Sequence, residues 1–187
     1  MVQPVRSPEK PVLDGDLVRQ CKLGNTESFR VLYRRHQHKV RSTLFQLCGA
    51  SSLDDLVQET FLRAWKGLPK LRTPDYFATW LYRIAWNVAS DKRREFAKTA
   101  DLHAKLNPDP PSPAPDLMDL HYRDLVQRGL DRLSFEHRSV LVLHDLEDVP
   151  QKQVAEVLGI PVGTVKSRLF HARSIVRQYL ENEGVNL

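Results

Sequence analysis

Residues 151–173 read QKQVAEVLGIPVGTVKSRLFHAR. Val154, Ala155, Leu158, Val165 and Leu169 recur at helical spacing, which predicts two short amphipathic helices. Gly159 stands between them, where a left-handed turn residue is cheap only for glycine. Ala155 is small where a second helix must cross closely, and Ile160 is apolar in the turn, placed to plug the angle between the helices. Pro161 presets φ near the start of the second helix. Together these features spell a helix-turn-helix, a unit that lays its second helix in a DNA groove.

From Val162 to Gln178 the second helix carries Lys166, Arg168, Arg173 and Arg177, with His171, and no acid. That is the reverse of a surface helix laced with salt bridges. If Val165 and Leu169 face inward, Thr164, Lys166, Ser167 and Phe170 fall on the outer side. There Lys166 can donate to guanine O6 and N7, Ser167 can pair with several bases, and Phe170 can touch a thymine methyl. Periodicity alone fits a packed helical hairpin with a solvated basic face equally well. The glycine-turn spacing and the acid-free second helix favour the DNA reading.

The 187 residues, 41% hydrophobic and 27% charged, suffice for one or two domains with real cores. A formal net charge of +5 favours an anionic partner. No run reaches the roughly 18 apolar residues of a membrane span, and MVQPVRSPEKPVLDGD lacks the apolar core of a signal peptide. Cys21 and Cys48, without a CxxC, fit free thiols in a reducing cytoplasm. Strand-like alternation is nearly absent, so the fold class expected is all-α: two small helical domains joined by a flexible Pro-rich linker.

In chain order, residues 1–12 hold three prolines and form a flexible lead-in. A first domain spans 13–96. Its short opening helix ends near Gly24, and Asn25 or Thr26 caps a long helix whose apolar stripe is Phe29, Leu32, Tyr33, Val40, Leu44 and Leu47. Ser51 or Ser52 caps a third helix with Leu53, Leu56, Val57, Phe61, Ala64 and Trp65 inward. On that helix Asp55, Gln58, Glu59 and Leu62 form one strip that could dock a basic partner helix, although early acids also complement the helix dipole. Residues 68–77, LPKLRTPDYF, form a loop broken by Pro69 and Pro74. The next helix holds Phe77, Trp80, Tyr82 and Trp86 among Arg83 and Asn87, with Tyr76 just before it. Aromatics interleaved with cations are what single-stranded nucleic-acid binding uses; Trp80, Ile84 and Val88 at spacing four also fit a core.

Residues 97–118 form the linker, crowded with Pro108, Pro110, Pro111, Pro113 and Pro115. The second domain, 119–187, has about four helices, one capped by Ser134, and ends in the helix-turn-helix. It balances 9 basic against 9 acidic residues between 121 and 187, so the basic excess of its last helix is local and marks a binding face. The seven histidines show no metal-ligand spacing, and no phosphate loop or nucleophile motif is present. No metal, cofactor or catalytic residue is expected, and the chain does not read as an enzyme.

Two stretches now point the same way. DDLVQETFLRAW (54–65) followed by FATWLYRIAWN (77–87) resembles the second conserved region of bacterial sigma factors, and LEDVPQKQVAEVLGIPVGTVKSRLFHAR (146–173) resembles their fourth. With only these two domains and a linker, the chain resembles the extracytoplasmic-function group of the sigma-70 family. The resemblance implies a transcription initiation factor that binds core RNA polymerase, recognises the −10 and −35 promoter elements and promotes melting. It implies that Asp55, Gln58, Glu59, Phe61 and Leu62 grip the polymerase clamp helices of β′. It implies that Leu71, Arg72, Tyr76, Phe77, Trp80, Arg83 and Asn87 capture the melted −10 strand. Thr164, Lys166, Ser167, Arg168, Phe170, His171 and Arg173 would read the −35 duplex, with the β flap as a further contact. An anti-sigma factor is the expected regulator. Pro161 stands where many relatives carry a capping Ser. The alternative reading is a helix-turn-helix transcriptional regulator with an N-terminal helical sensor domain, and the aromatic helix speaks against it.

Overall fold

A computed structural model describes residues 12–100 and 117–185; the expected flexible lead-in and most of the Pro-rich linker lie outside the described residues. Every regular element among the described residues is helical. None of these helices is long and apolar enough to cross a membrane.

The first domain comprises α1 (Asp14–Lys22), α2 (Thr26–Cys48), α3 (Leu53–Gly67) and α4 (Phe77–Ala100). Gly24, at φ 93°, ends α1 as expected. The Asn25 side chain then caps α2 by accepting from the N–H groups of Glu27 and Ser28, a contact worth about 1 kcal/mol. The expected serine cap on α3 is not made. Ser52 sits at φ 58° in the left-handed region, so its hydroxyl makes no cap bond. Asp54 and Asp55 in the first turn complement the dipole of α3 instead. The stretch between α3 and α4 is two 3-10 turns, Leu68–Lys70 and Pro74–Tyr76, not plain loop. Leu32, Leu44, Leu81, Phe77 and Val18 fill the core, and Ala64, Ala85 and Ala89 are fully buried where the helices approach.

The second domain comprises α5 (Leu117–Asp131), α6 (Phe135–Leu141), a π turn (Val142–Leu146), α7 (Gln151–Leu158) and α8 (Val162–Asn182). Ser134 caps α6 as predicted, accepting from the N–H of His137. Asp148, at φ 55°, reverses the chain before Val149 and Pro150; Asp tolerates this region better than most residues. Gly159, at φ 67° and ψ 35°, is the left-handed residue of the helix-turn-helix. Val154, Ala155, Leu158, Val165 and Leu169 are buried where α7 meets α8, and Ile160 packs against them. Pro161 stands at the start of α8 as expected, as its extended N-cap, with no side-chain cap.

The two domains pack on each other. Phe135 and Val142 join the first-domain core, and Tyr82 joins the core of the helix-turn-helix. Side-chain hydrogen bonds cross the seam, among them Thr79 to Gln153 at 3.1 Å, Tyr82 to Glu147 at 3.3 Å, and the Trp86 indole to Ser139 at 3.1 Å.

Candidate protein- and nucleic-acid-binding surfaces

Three surfaces collect the residues singled out in the sequence. The first is a groove of about 590 Å³ between α2 and α3, lined by Phe29, Tyr33, Val57, Phe61, Leu62 and Trp65. Asp55 and Gln58 are exposed and Glu59 half-buried along its α3 side. Glu59 is not free: it accepts from Arg63 at 2.7 Å, and Arg63 also reaches Asp91 at 2.8 Å. Both carboxylates hold the Arg63 guanidinium more firmly protonated than usual. Phe61 is buried, so it forms the floor of the groove and not its contact surface. Its ring meets Tyr33 at 4.6 Å, and Phe29 meets Trp65 at 4.8 Å. Tyr33 and Trp65, expected inward, are 38% and 40% exposed, with Leu62 at 44%. Their helical spacing marked an apolar face correctly but could not show that nothing among the described residues covers it.

The second surface runs from the Pro74–Tyr76 turn into α4. Tyr76, Trp80, Arg83 and Asn87 fall at spacings of four, three and four, which aligns them along one helix face. Arg72, Tyr76, Arg83 and Asn87 are exposed and Trp80 is half-buried. Leu71 and Phe77, expected among the contact residues, are buried in the core and anchor the two ends of the loop. Trp80 packs beside Phe77 at 5.9 Å. A Cβ on Gly67 would come within 2.9 Å of the Trp80 ring, so Gly67 makes room for the indole. Thr79, Tyr82 and Trp86, about a quarter turn round the same helix, are the residues that hold the second domain.

The third surface is the N-terminal half of α8. Lys166, Ser167 and His171 are exposed, Thr164 and Arg168 are half-buried, and Phe170 is 71% exposed. Its ring lies edge-on to the neighbouring His171 at 5.5 Å. Ser167 spends its hydroxyl proton on the Thr164 carbonyl at 3.1 Å. Arg173 differs from the others. It makes a two-pronged ion pair with Asp145 at 2.8 and 2.6 Å, which holds its guanidinium more firmly protonated than usual.

Among the described residues no group of three His, Cys, Asp or Glu is placed to hold a metal ion. Burial pushes the Cys21 and Cys48 thiols above their ordinary value, and neither is in a disulfide.

Comparison with known proteins adds independent information. Residues 32–99 match the family described as Sigma-70 region 2, and residues 123–175 match Sigma-70, region 4. An ECF RNA polymerase sigma-E factor from Haemophilus influenzae is 29% identical over 181 residues, covering 90% of this chain and 95% of its own. One of the same name from Salmonella typhimurium is 30% identical over 175 residues, covering 87% and 92%. The solved structure of the sigma factor RpoE from Bartonella quintana, in complex with the anti-sigma factor NepR, superposes with a TM-score of 0.73. At 21% identity over 83% of this chain and 98% of that one, it shares the fold.

Proposed function

Because the chain belongs to the extracytoplasmic-function sigma factors of the sigma-70 family, we propose that its three surfaces divide the work of promoter-directed initiation. The protein is a transcription initiation factor that binds core RNA polymerase and promoter DNA. It acts by binding alone and contributes no catalytic group, and it works in the cytoplasm, where its polymerase and promoters are.

The α2–α3 groove takes the β′ clamp helices. Exposed Leu62, Tyr33 and Trp65 supply apolar anchors, while Asp55 and Gln58 on the rim offer partners for cations. The α4 face takes the non-template strand of the −10 element. Tyr76 and Trp80 offer rings on which an extruded base stacks, Arg72 and Arg83 track the phosphates, and Asn87 pairs with a base edge. Leu71 and Phe77 serve this surface from below by fixing the loop. The α8 face takes the −35 duplex through Lys166, Ser167 and Phe170, with Thr164, Arg168 and His171 flanking. The β flap is a further contact of the second domain.

The observation that carries this reading is the coexistence, in one chain, of a single-strand platform on α4 and an open cationic recognition helix. A duplex-binding regulator with a sensor domain has no use for the first.

The packed domain pair must separate to work. Elements centred about 25 base pairs apart lie ~85 Å apart along B-DNA, whereas a compact chain of this length has a radius of gyration of about 16 Å. Binding to polymerase therefore opens the seam. An anti-sigma factor regulates the chain by occupying the same exposed surfaces, as an anti-sigma factor is bound in the Bartonella quintana structure of like fold.

The test is capture of purified bacterial core polymerase by this protein, followed by run-off transcription on a genomic library. Binding with promoter-specific transcripts supports the reading. Duplex affinity without polymerase binding would return the chain to the regulator class.

A further inference from the structure

We infer that α1 is a brace for the 71–76 loop, with Lys22 and Arg19 as positioning residues that hold its two ends. The inference rests on the base-capture reading of that loop and assigns a role to a helix that none of the three surfaces uses.

The geometry starts with how firmly α1 is held. Leu17, Val18 and Cys21 are buried in the first-domain core. At its N-terminal end the Asp14 carboxylate binds Arg35 at 2.9 Å and His36 at 2.6 Å, and these partners pull its pKa below the ordinary value. Toward its C-terminal end Ser28 donates to the Gln20 side chain at 2.6 Å. The helix is thus tied to α2 at both ends and is a fixed platform.

From that platform two side chains, three residues apart on one helical face, reach the loop. Lys22 Nζ donates to the Leu71 carbonyl at 2.5 Å, at the point where the chain leaves the core. Arg19 pairs with Asp75 at 3.6 Å, immediately before Tyr76. The span between the two holding points is Arg72, Thr73 and Pro74, and Arg72, Thr73 and the following Tyr76 face solvent. Gly15 adds a third, independent sign of close fit. A Cβ there would stand 1.9 Å from Asp75 Oδ1, so the loop carboxylate lies directly against the α1 backbone.

The arrangement has a physical purpose. Capturing an extruded base requires a loop in one conformation, and a loop ordered in advance loses less entropy when DNA binds. Leu71 and Phe77 fix the loop from inside the core, and α1 fixes it from the side. Without α1, the stretch between two proline-led 3-10 turns would have only its buried ends to define it.

The test uses the full-length chain and the holoenzyme. Hydrogen exchange at the amides of Arg72, Thr73, Asp75 and Tyr76 is measured for the wild type, for Lys22→Met with Arg19→Ala, and for Lys22→Arg. Binding of each holoenzyme to a forked promoter fragment, with the −10 non-template strand single-stranded, is measured in parallel. The fragment comes from a start site mapped with the wild type. The double variant is expected to speed loop exchange and weaken fork binding, each by about tenfold. Core-polymerase affinity and −35 duplex affinity should stay unchanged, since neither residue lines those surfaces. Lys22→Arg should restore both readouts, because a guanidinium can still donate to the carbonyl. Unchanged loop exchange in the double variant overturns the brace whatever the DNA does. Faster exchange with wild-type fork affinity shows that loop order is irrelevant to capture, and overturns its function. Asn87→Ala runs as the control for the underlying reading. If that variant binds the fork like the wild type, base capture on this face fails, and the brace loses its role with it.

Discussion

The Tyr82 hydroxyl on α4 donates to the Glu147 carboxylate across the seam between the two domains, at 3.3 Å and in a buried position. Glu147 is 8% exposed, although it belongs to a polar turn of the second domain. It is inserted against the first domain, where Ser42, Tyr82 and Thr43 can hydrogen-bond it and Lys39 lies near. The left-handed Asp148 follows it and adds a second negative charge near enough to act on Tyr82. A carboxylate buried between two domains is a poor permanent adhesive and a good reversible one, as the proposed opening of the seam requires.

Docking should therefore depend on pH. Burial raises the Glu147 carboxyl above its ordinary 4.5, and its hydrogen bonds and Lys39 only partly oppose this. An acid whose pKa is raised in the docked state binds its proton more tightly there. Its contribution to docking is full below 4.5 and is lost as pH rises through the raised value. Burial and Glu147 also push the Tyr82 hydroxyl upward, so it stays protonated throughout. Small-angle scattering of the full chain between about pH 5 and 8 should show expansion with rising pH. Glu147→Gln should stay compact across that range. Identical expansion of both proteins would remove Glu147 from the latch.

Asp145 should restrain DNA binding by occupying Arg173. Their ion pair, with Asp145 only 26% exposed, ties the guanidinium to the π turn. Asp145→Ala should free one cation for a phosphate, so the slope of log affinity against log salt steepens by about 0.9. Adding Arg173→Ala should cancel the gain. A single Asp145→Ala with an unchanged salt slope would mean that Arg173 does not reach the backbone even when released.

The α2–α3 groove separates contact from support. Leu62→Ala or Trp65→Ala should each cost about 2 kcal/mol of core-polymerase binding if they are central anchors, with little change in thermal stability. Phe61→Ala should act the other way. Its ring is buried and packed on Tyr33, so the loss should be about 3–5 kcal/mol of folding stability. Titration of labelled core polymerase, together with thermal unfolding, reads both. Wild-type polymerase affinity in Leu62→Ala and Trp65→Ala would move the docking site off this groove.

Much of this was legible along the chain, and the rest has identifiable reasons for being hidden. Gly159, Asn25 and Ser134 act through their own backbone neighbours, so their roles can be read locally. Ser52 could not be read so, because its hydroxyl is useless once the residue takes a left-handed conformation. Phe29, Tyr33 and Trp65 show their apolar face in the spacing, but whether a face is core or docking site depends on what lies over it. The seam is the least legible feature. Glu147 and Tyr82 are 65 positions apart, and no pattern in VLHDLEDVP signals that its second acid is buried. The pairing of Arg173 with Asp145 hides in the same way: a cation in the acid-free stretch 162–178 found its acid 28 residues upstream.

Asn87 and Phe77 complete the division between contact and support on the α4 face. Asn87 is exposed and in line with Tyr76, Trp80 and Arg83, so Asn87→Ala should alter stability by no more than about 0.5 kcal/mol. Its effect should fall on open-complex formation, read by permanganate reactivity of unpaired thymines, while initial duplex binding stays as in the wild type. Phe77 is completely buried, and Phe77→Ala should cost about 3–5 kcal/mol of stability before any DNA is added. Both changes would slow transcription, so the rate alone cannot tell them apart. Raising the stability of Phe77→Ala by lowering the temperature toward the stability maximum should recover part of its melting activity, because the loop regains its anchor. The same cooling should not rescue Asn87→Ala, whose missing amide is a lost contact with the strand itself. Equal loss of duplex binding and melting in Asn87→Ala would place that side chain on the double helix and remove it from base capture.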